Sequence, residues 1–136
     1  MAEINYLAVL VSSVIAMIIG SLWYRVLFGK AWIKLMNINE KQIKESKNKG
    51  MAKSYFIMFI SLLVMNYVLA HFIQYTQSNK FSLGMETGFW IWLGFLATTM
   101  LGIVLWENKP FKLYLINASN YLVMLLISGG ILASWQ

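Results

Sequence analysis

Cysteine is absent from the 136 residues, and proline occurs once. Without a thiol the chain has no disulfide, no thiol relay and no thiolate metal site, which excludes quinone-linked disulfide chemistry. Acidic residues are also scarce: Glu3, Glu40, Glu45, Glu86 and Glu107 are the whole set. Each lies at or beyond the end of a long uncharged stretch, so no carboxylate sits deep enough for a proton-coupled carrier. One histidine, His71, is the single ionisable residue inside such a stretch. Alone and without cysteine it does not build a typical zinc site. Its position near a stretch end fits a snorkelling or hydrogen-bonded residue better than a proton relay, since no partner carboxylate is near it in sequence. No serine has the base and orienting group that nucleophilic catalysis needs, so no enzyme activity, cofactor or metal is expected.

What the chain does have is apolar length. Of its residues 60% are hydrophobic and 12% charged, the balance of a membrane protein. Uncharged stretches run from Ile4 to Tyr24, Ser54 to Asn79 (His71 apart), Thr87 to Trp106 and Leu113 to Gln136. A helix needs about 20 residues to cross a hydrocarbon core of roughly 30 Å. Backbone polar groups in lipid must pair within their own segment. Residues 1–136 therefore form a single transmembrane domain, an all-α, antiparallel four-helix bundle with predicted spans over 4–24, 54–75, 87–106 and 113–135.

Lysine and arginine set the orientation. Arg25, Lys30, Lys34, Lys41, Lys44, Lys47, Lys49 and Lys53 lie between the first two spans, and Lys109 and Lys112 between the last two. Only Lys80 lies on the opposite side. Under the positive-inside rule the basic loop 25–53 is cytoplasmic and both termini face outward. The first span carries its cations after the apolar run rather than before it, unlike a cleaved signal peptide. The net charge of +6 follows from this topology. It points to anionic headgroups of membrane lipids and not to nucleic acid.

Within the basic loop, Phe28–Met36 alternates apolar residues with lysines as an interfacial segment does. Asn39 and Gln42 have capping-box spacing. The loop serves topology and lipid contact, or else docks a soluble partner. Aromatic residues cluster near both predicted boundaries as interfacial belts.

Small residues mark helix contacts in lipid. Ala8, Ser12, Ala16 and Gly20 form one stripe, and Gly94, Thr98 and Gly102 form a second on the third span. Gly129 with Ala133, and Gly130 with Ser134, are a pair of shorter ones. Asn117, Asn120, Tyr121 and Ser128 share a face of the fourth span, and Asn66 and Thr98 lie near the middle of theirs. Antiparallel packing is expected to bring Asn66, Thr98 or Thr99, and Asn120 to similar depth. These groups serve either as interhelical hydrogen bonds or as the lining of a small polar cavity, with Asn66, Thr98, Asn120 and Tyr121 as its ligand-binding candidates. Trp23, Arg25 and Glu107 form the inner rim, where Arg25 and Glu107 are either an ion pair or separate solvated anchors.

Gly20-Ser-Leu-Trp-Tyr24, Leu27-Phe-Gly-Lys-Ala-Trp32, Trp92-Leu-Gly-Phe-Leu-Ala-Thr98 and the closing Asn117–Trp135 segment resemble a bacterial membrane family catalogued as domain of unknown function 1761. The resemblance covers nearly the whole chain. It implies four spans in a bacterial cytoplasmic (inner) membrane and assigns no activity or catalytic residue. Four short spans enclose little volume, so a homo-oligomer that binds or moves a small molecule, ion or lipid is the expected role. The alternative is a structural subunit that binds a partner through the basic loop and transports nothing.

Overall fold

The computed structural model describes residues 4–36, 39, 41, 42, 45 and 52–136. Among these every regular element is helical. Helix α1 runs Tyr6–Leu22 and continues as a π-helical turn, Trp23–Leu27. A short α2, Gly29–Leu35, follows. Helix α3 is Ala52–Tyr75. The third span is α4, Phe81–Ile91, a π-helical segment Trp92–Ala97, and α5, Thr98–Trp106. Helix α6, Phe111–Ser134, closes the chain. Tyr6–Leu27, Ala52–Tyr75, Phe81–Trp106 and Phe111–Ser134 are each long and apolar enough to cross a membrane. The chain is a four-span membrane protein by this measure.

The third span begins six residues before its predicted start. The prediction stopped at Glu86 to keep a charge out of lipid, but Glu86 is exposed on the helix surface near its end and does not interrupt it. At 1.5 Å per residue the 26-residue span is roughly 39 Å long, enough to carry its first turns into the headgroup region.

Two turns end in the same way. Gln77 and Asn108 take positive φ, 57° and 56°. In each case the following N–H reaches back five residues, Ser78 to Ile73 at 3.0 Å and Lys109 to Val104 at 3.1 Å. This is the Schellman geometry that terminates a helix. Pro110 then precedes the first residue of α6. At the opposite end Asn5 caps α1, accepting from the Ala8 N–H at 3.2 Å and donating through Nδ2 to the Trp135 carbonyl at 3.1 Å. Gln136 Nε2 donates to the Ser78 carbonyl at 2.7 Å. Both termini and the α3–α4 turn thus share one end of the bundle.

Helix α6 is the hub. Half of its most apolar stretch is buried, against 17% for the third span. It packs against α1 and α3 on one side and α4 on the other. The first stripe behaves as expected: Ala8, Ser12 and Ala16 are fully buried. The second does not. Gly94 and Gly102 have open space where a side chain would go, and Thr98 is exposed. The close approach is made instead by Gly84 and Gly88, a Gly-x-x-x-Gly pair, on α4. A Cβ on Gly84 would collide with the Gly129 carbonyl oxygen and stand 2.6 Å from Ala133 Cβ. Gly130 is likewise covered by the Phe81 ring. Backbones this close need glycine because any side chain would separate them.

The outward faces are apolar. Leu7, Val14, Ile18, Leu22, Phe56, Val64, Phe95 and Leu105 are among the large side chains left exposed. Soluble monomers rarely expose such a continuous surface, whereas lipid chains solvate it.

Candidate functional site

The two π-helical turns position the loop-side half of α1 and the third span against α6. Each opens with a tryptophan whose indole Nε1 donates to an α6 carbonyl, Trp23 to Ile116 at 2.9 Å and Trp92 to Ala118 at 2.8 Å. π turns are rare and concentrate at functional sites. After the first one, Phe28 N–H bonds the Trp23 carbonyl at 2.8 Å. Gly29 then lies buried against the Tyr24 carbonyl, where a Cβ would collide. Helix α2 then packs on the π turn and on α6, with Trp32 on Tyr24, ring centroids 5.7 Å apart.

This turn opens a cavity of about 590 Å³ between α1, α2, α3 and α6. Its inner wall is apolar and thioether-rich: Met17, Met58, Met124 and Leu62. Methionine is flexible and polarizable, so such a wall adapts to an occupant. Polar groups gather toward the loop end, with Ser21, Tyr24, Arg25, Ser54, Tyr55, Asn120 and Tyr121 all lining it. Tyr24 donates its hydroxyl to Asn117 Oδ1 at 2.7 Å. Arg25 Nη2 donates to the Tyr55 hydroxyl at 2.6 Å, and its guanidinium carbon lies 5.7 Å from the centre of that ring. Both contacts hold the cation at the rim.

Asn120 is only 2% exposed, and its Oδ1 meets no hydrogen-bond partner. Ser12 Oγ and Asn66 Oδ1 are the other buried polar side-chain atoms without one among the described residues. A buried amide oxygen left unpaired costs roughly 1–3 kcal/mol. Of the three residues only Asn120 lines the cavity.

The candidate residues thus separate. Asn120, Tyr121 and Arg25 come together at the cavity. Asn66 does not reach it. Its Nδ2 donates to Ser13 Oγ at 3.0 Å, and Ser13 in turn donates to the Val9 carbonyl at 2.8 Å, making an interhelical clamp nearer the terminal end. Thr98 faces outward and donates to the Gly94 carbonyl at 2.9 Å within its own helix. Asn66, Thr98 and Asn120 therefore do not meet: α3 bonds α1 through Asn66, and Thr98 is exposed on the third span. Trp23 anchors the π turn rather than the cavity rim. Glu107 is exposed, and among the described residues no ion pair joins it to Arg25, which turns to Tyr55.

Sequence reasoning missed Tyr55, Tyr24 and the methionine wall, all absorbed into apolar or belt readings. The available signal was Met17 and Met58, each four residues from a polar cavity residue, Ser21 and Ser54. Elsewhere, His71 stacks edge-on against Tyr67 at 4.8 Å, in an aromatic ladder with Tyr6 and Tyr75. The capping pair in the basic loop forms reciprocally, Gln42 N–H to Asn39 Oδ1 at 2.8 Å and Asn39 N–H to Gln42 Oε1 at 3.0 Å. Most of residues 37–51, the surface of the partner-docking alternative, lies outside the described residues.

A family model described as "Protein of unknown function (DUF1761)" matches residues 7–133. No curated protein and no solved structure matches the chain.

Proposed function

Because the chain belongs to the family described as Protein of unknown function (DUF1761), whose description assigns no activity, we propose a role from the cavity itself: a membrane-embedded binder of a small amphipathic molecule. The observation that carries this reading is the 590 Å³ space with a methionine wall at one end and polar groups at the other. Ligand pockets are usually of ~300–1,000 Å³, mostly apolar, with a few convergent polar groups. No carboxylate or histidine is among the described lining residues, so binding or facilitated passage suits the site better than proton-coupled pumping.

The basic loops face the cytoplasm of a bacterial inner membrane in this proposal, with both termini outside, so the cavity opens at the inner headgroup level. The support is the ten-to-one distribution of cations. Self-association also belongs to the proposal. Its support is the third span, the least buried, whose Gly94, Thr98 and Gly102 stripe meets nothing within the protomer.

The test is to purify the protein in mild detergent, extract it with organic solvent and identify what was carried by mass spectrometry. Wild type should retain one class of small molecule near equimolar amount, and Met17→Trp, which fills the cavity, should lose it while keeping wild-type thermal stability. Equal recovery from both proteins overturns the reading.

A further inference from the structure

The lining carries one formal charge. Arg25 is its only ionised side chain, and no carboxylate is present among the described lining residues. A guanidinium offers five N–H donors, and here a single hydrogen bond, to Tyr55, is made to another side chain. Arg25 is exposed and lines the cavity, and the remaining donors suit a carboxylate or phosphate that matches the planar fork. Tyr55 holds the group in place without neutralising it.

The second feature is Asn120. Its buried Oδ1 is an acceptor without a donor. Asparagine χ2 is soft, so a small rotation offers this oxygen to an occupant. Asn117, reached by the Tyr24 hydroxyl, precedes Asn120 by three residues, so Asn120 lies about 4.5 Å deeper along α6. Arg25 and Asn120 line the same cavity, so an occupant whose acid group meets Arg25 can carry a donor to Asn120. Met17, Met124 and Leu62 supply an apolar wall for its chain.

Size narrows the class further. At the ~30 Å³ that a water-sized group takes in a liquid, 590 Å³ holds about 20 non-hydrogen atoms. A single-chain acid is of that size.

We infer that the occupant is a single-chain amphipathic anion with a hydrogen-bond donor near its head, its acid group on Arg25, the donor on Asn120 and its chain along the methionine wall. This rests on the binding role proposed above and specifies its ligand chemistry.

The experiment is displacement of radiolabelled tetradecanoate from the full-length protein in phosphatidylcholine nanodiscs, buffered well above the carboxyl pKa, with empty discs correcting for partition. Competitors are 3-hydroxytetradecanoate, tetradecanoate and tetradecan-1-ol. A hydrogen bond to a charged group is worth a factor of about ten or more, and a neutral one about three to ten. The 3-hydroxy acid should therefore compete best, the plain acid several-fold less well, and the alcohol about ten-fold less well again. Arg25→Gln should erase the acid-over-alcohol preference, while Arg25→Lys retains part of it and shows that the site still forms. Asn120→Leu should erase only the advantage of the hydroxyl. If the alcohol competes as well as the acid, the anion assignment is overturned while the binding role stands. If hydroxylation brings no gain, the Asn120 assignment falls. No saturable, protein-dependent binding of any competitor overturns both.

Discussion

Replacing Gly84 with alanine adds one methyl group where α4 meets α6, and the structure gives that methyl no room. It would stand 2.6 Å from Ala133 Cβ, when ordinary contacts begin near 3.4 Å, so this neighbour alone requires a retreat of 3.4 − 2.6 = 0.8 Å. The Gly129 carbonyl oxygen is closer still and belongs to the backbone, so it cannot rotate away. The helices must separate by about 1 Å, and a gap of 0.5–1 Å forfeits a quarter to a half of each dispersion contact. Dispersion and close packing are the principal attraction between helices in lipid. Overpacking of this kind costs roughly 1–3 kcal/mol, and backbone contact places Gly84→Ala near the upper end, at about 2 kcal/mol or more. Gly94→Ala and Gly102→Ala are the controls. Both sites face open space within the protomer, so at protein dilutions that keep the chain monomeric each should stay within about 0.5 kcal/mol of wild type or gain slightly from helix propensity. The assay is equilibrium unfolding in mixed micelles of increasing dodecyl sulfate fraction, followed by tryptophan fluorescence. Trp92, bonded to α6 through Ala118, reports this interface. A Gly84→Ala protein as stable as wild type, beside a destabilised Gly94→Ala, would refute the packing described here.

The same unfolding assay checks the indole anchors: Trp23→Phe and Trp92→Phe keep a ring but lose one hydrogen bond each, and should each cost about 1 kcal/mol. Ser13→Ala should destabilise by about 1 kcal/mol or more because it strands the Asn66 amide. Adding Asn66→Leu should recover most of that loss, a reversal that additive side-chain effects would not produce. Charge reversal at both Arg25 and Glu107 should show no mutual rescue in expression or stability, since Arg25 bonds Tyr55 instead. Single cysteines at Ser134 and Glu107 can be labelled without background in a chain that has none. In intact cells an impermeant maleimide should reach position 134 and not 107 if the basic loops face inward.

Element by element, the fold was more legible than the site. Four spans follow from uninterrupted apolar length, because lipid offers backbone groups no partner outside their own helix. The stripe Ala8, Ser12, Ala16 was readable because it repeats over several turns and meets two helices. Gly94, Thr98 and Gly102 have the same spacing and face outward. Spacing defines a face of a helix, but which face meets a neighbour depends on where that neighbour lies. Gly84 was hidden behind Glu86, whose charge moved the predicted span past it and left Gly88 without its partner in the pattern. At the site, Asn120, Tyr121 and Arg25 were identifiable as rare polar groups in or beside apolar spans. Their union with Tyr55 and three methionines was not, since it depends on the π turn at Trp23–Leu27 and on Gly29 letting α2 start against the Tyr24 carbonyl.

The sequence by itself determined that this is a membrane protein with four spans and which ends carry the cations. Solvation in lipid decides both, and solvation acts on each segment separately. Only the tertiary structure decided that α6 is the hub, that Asn66 clamps α1 while Asn120 lines a cavity, and that Arg25 stands over Tyr55. Those outcomes depend on contacts of ångström precision between helices far apart in the chain, where a single carbonyl oxygen against a glycine chooses the face that packs.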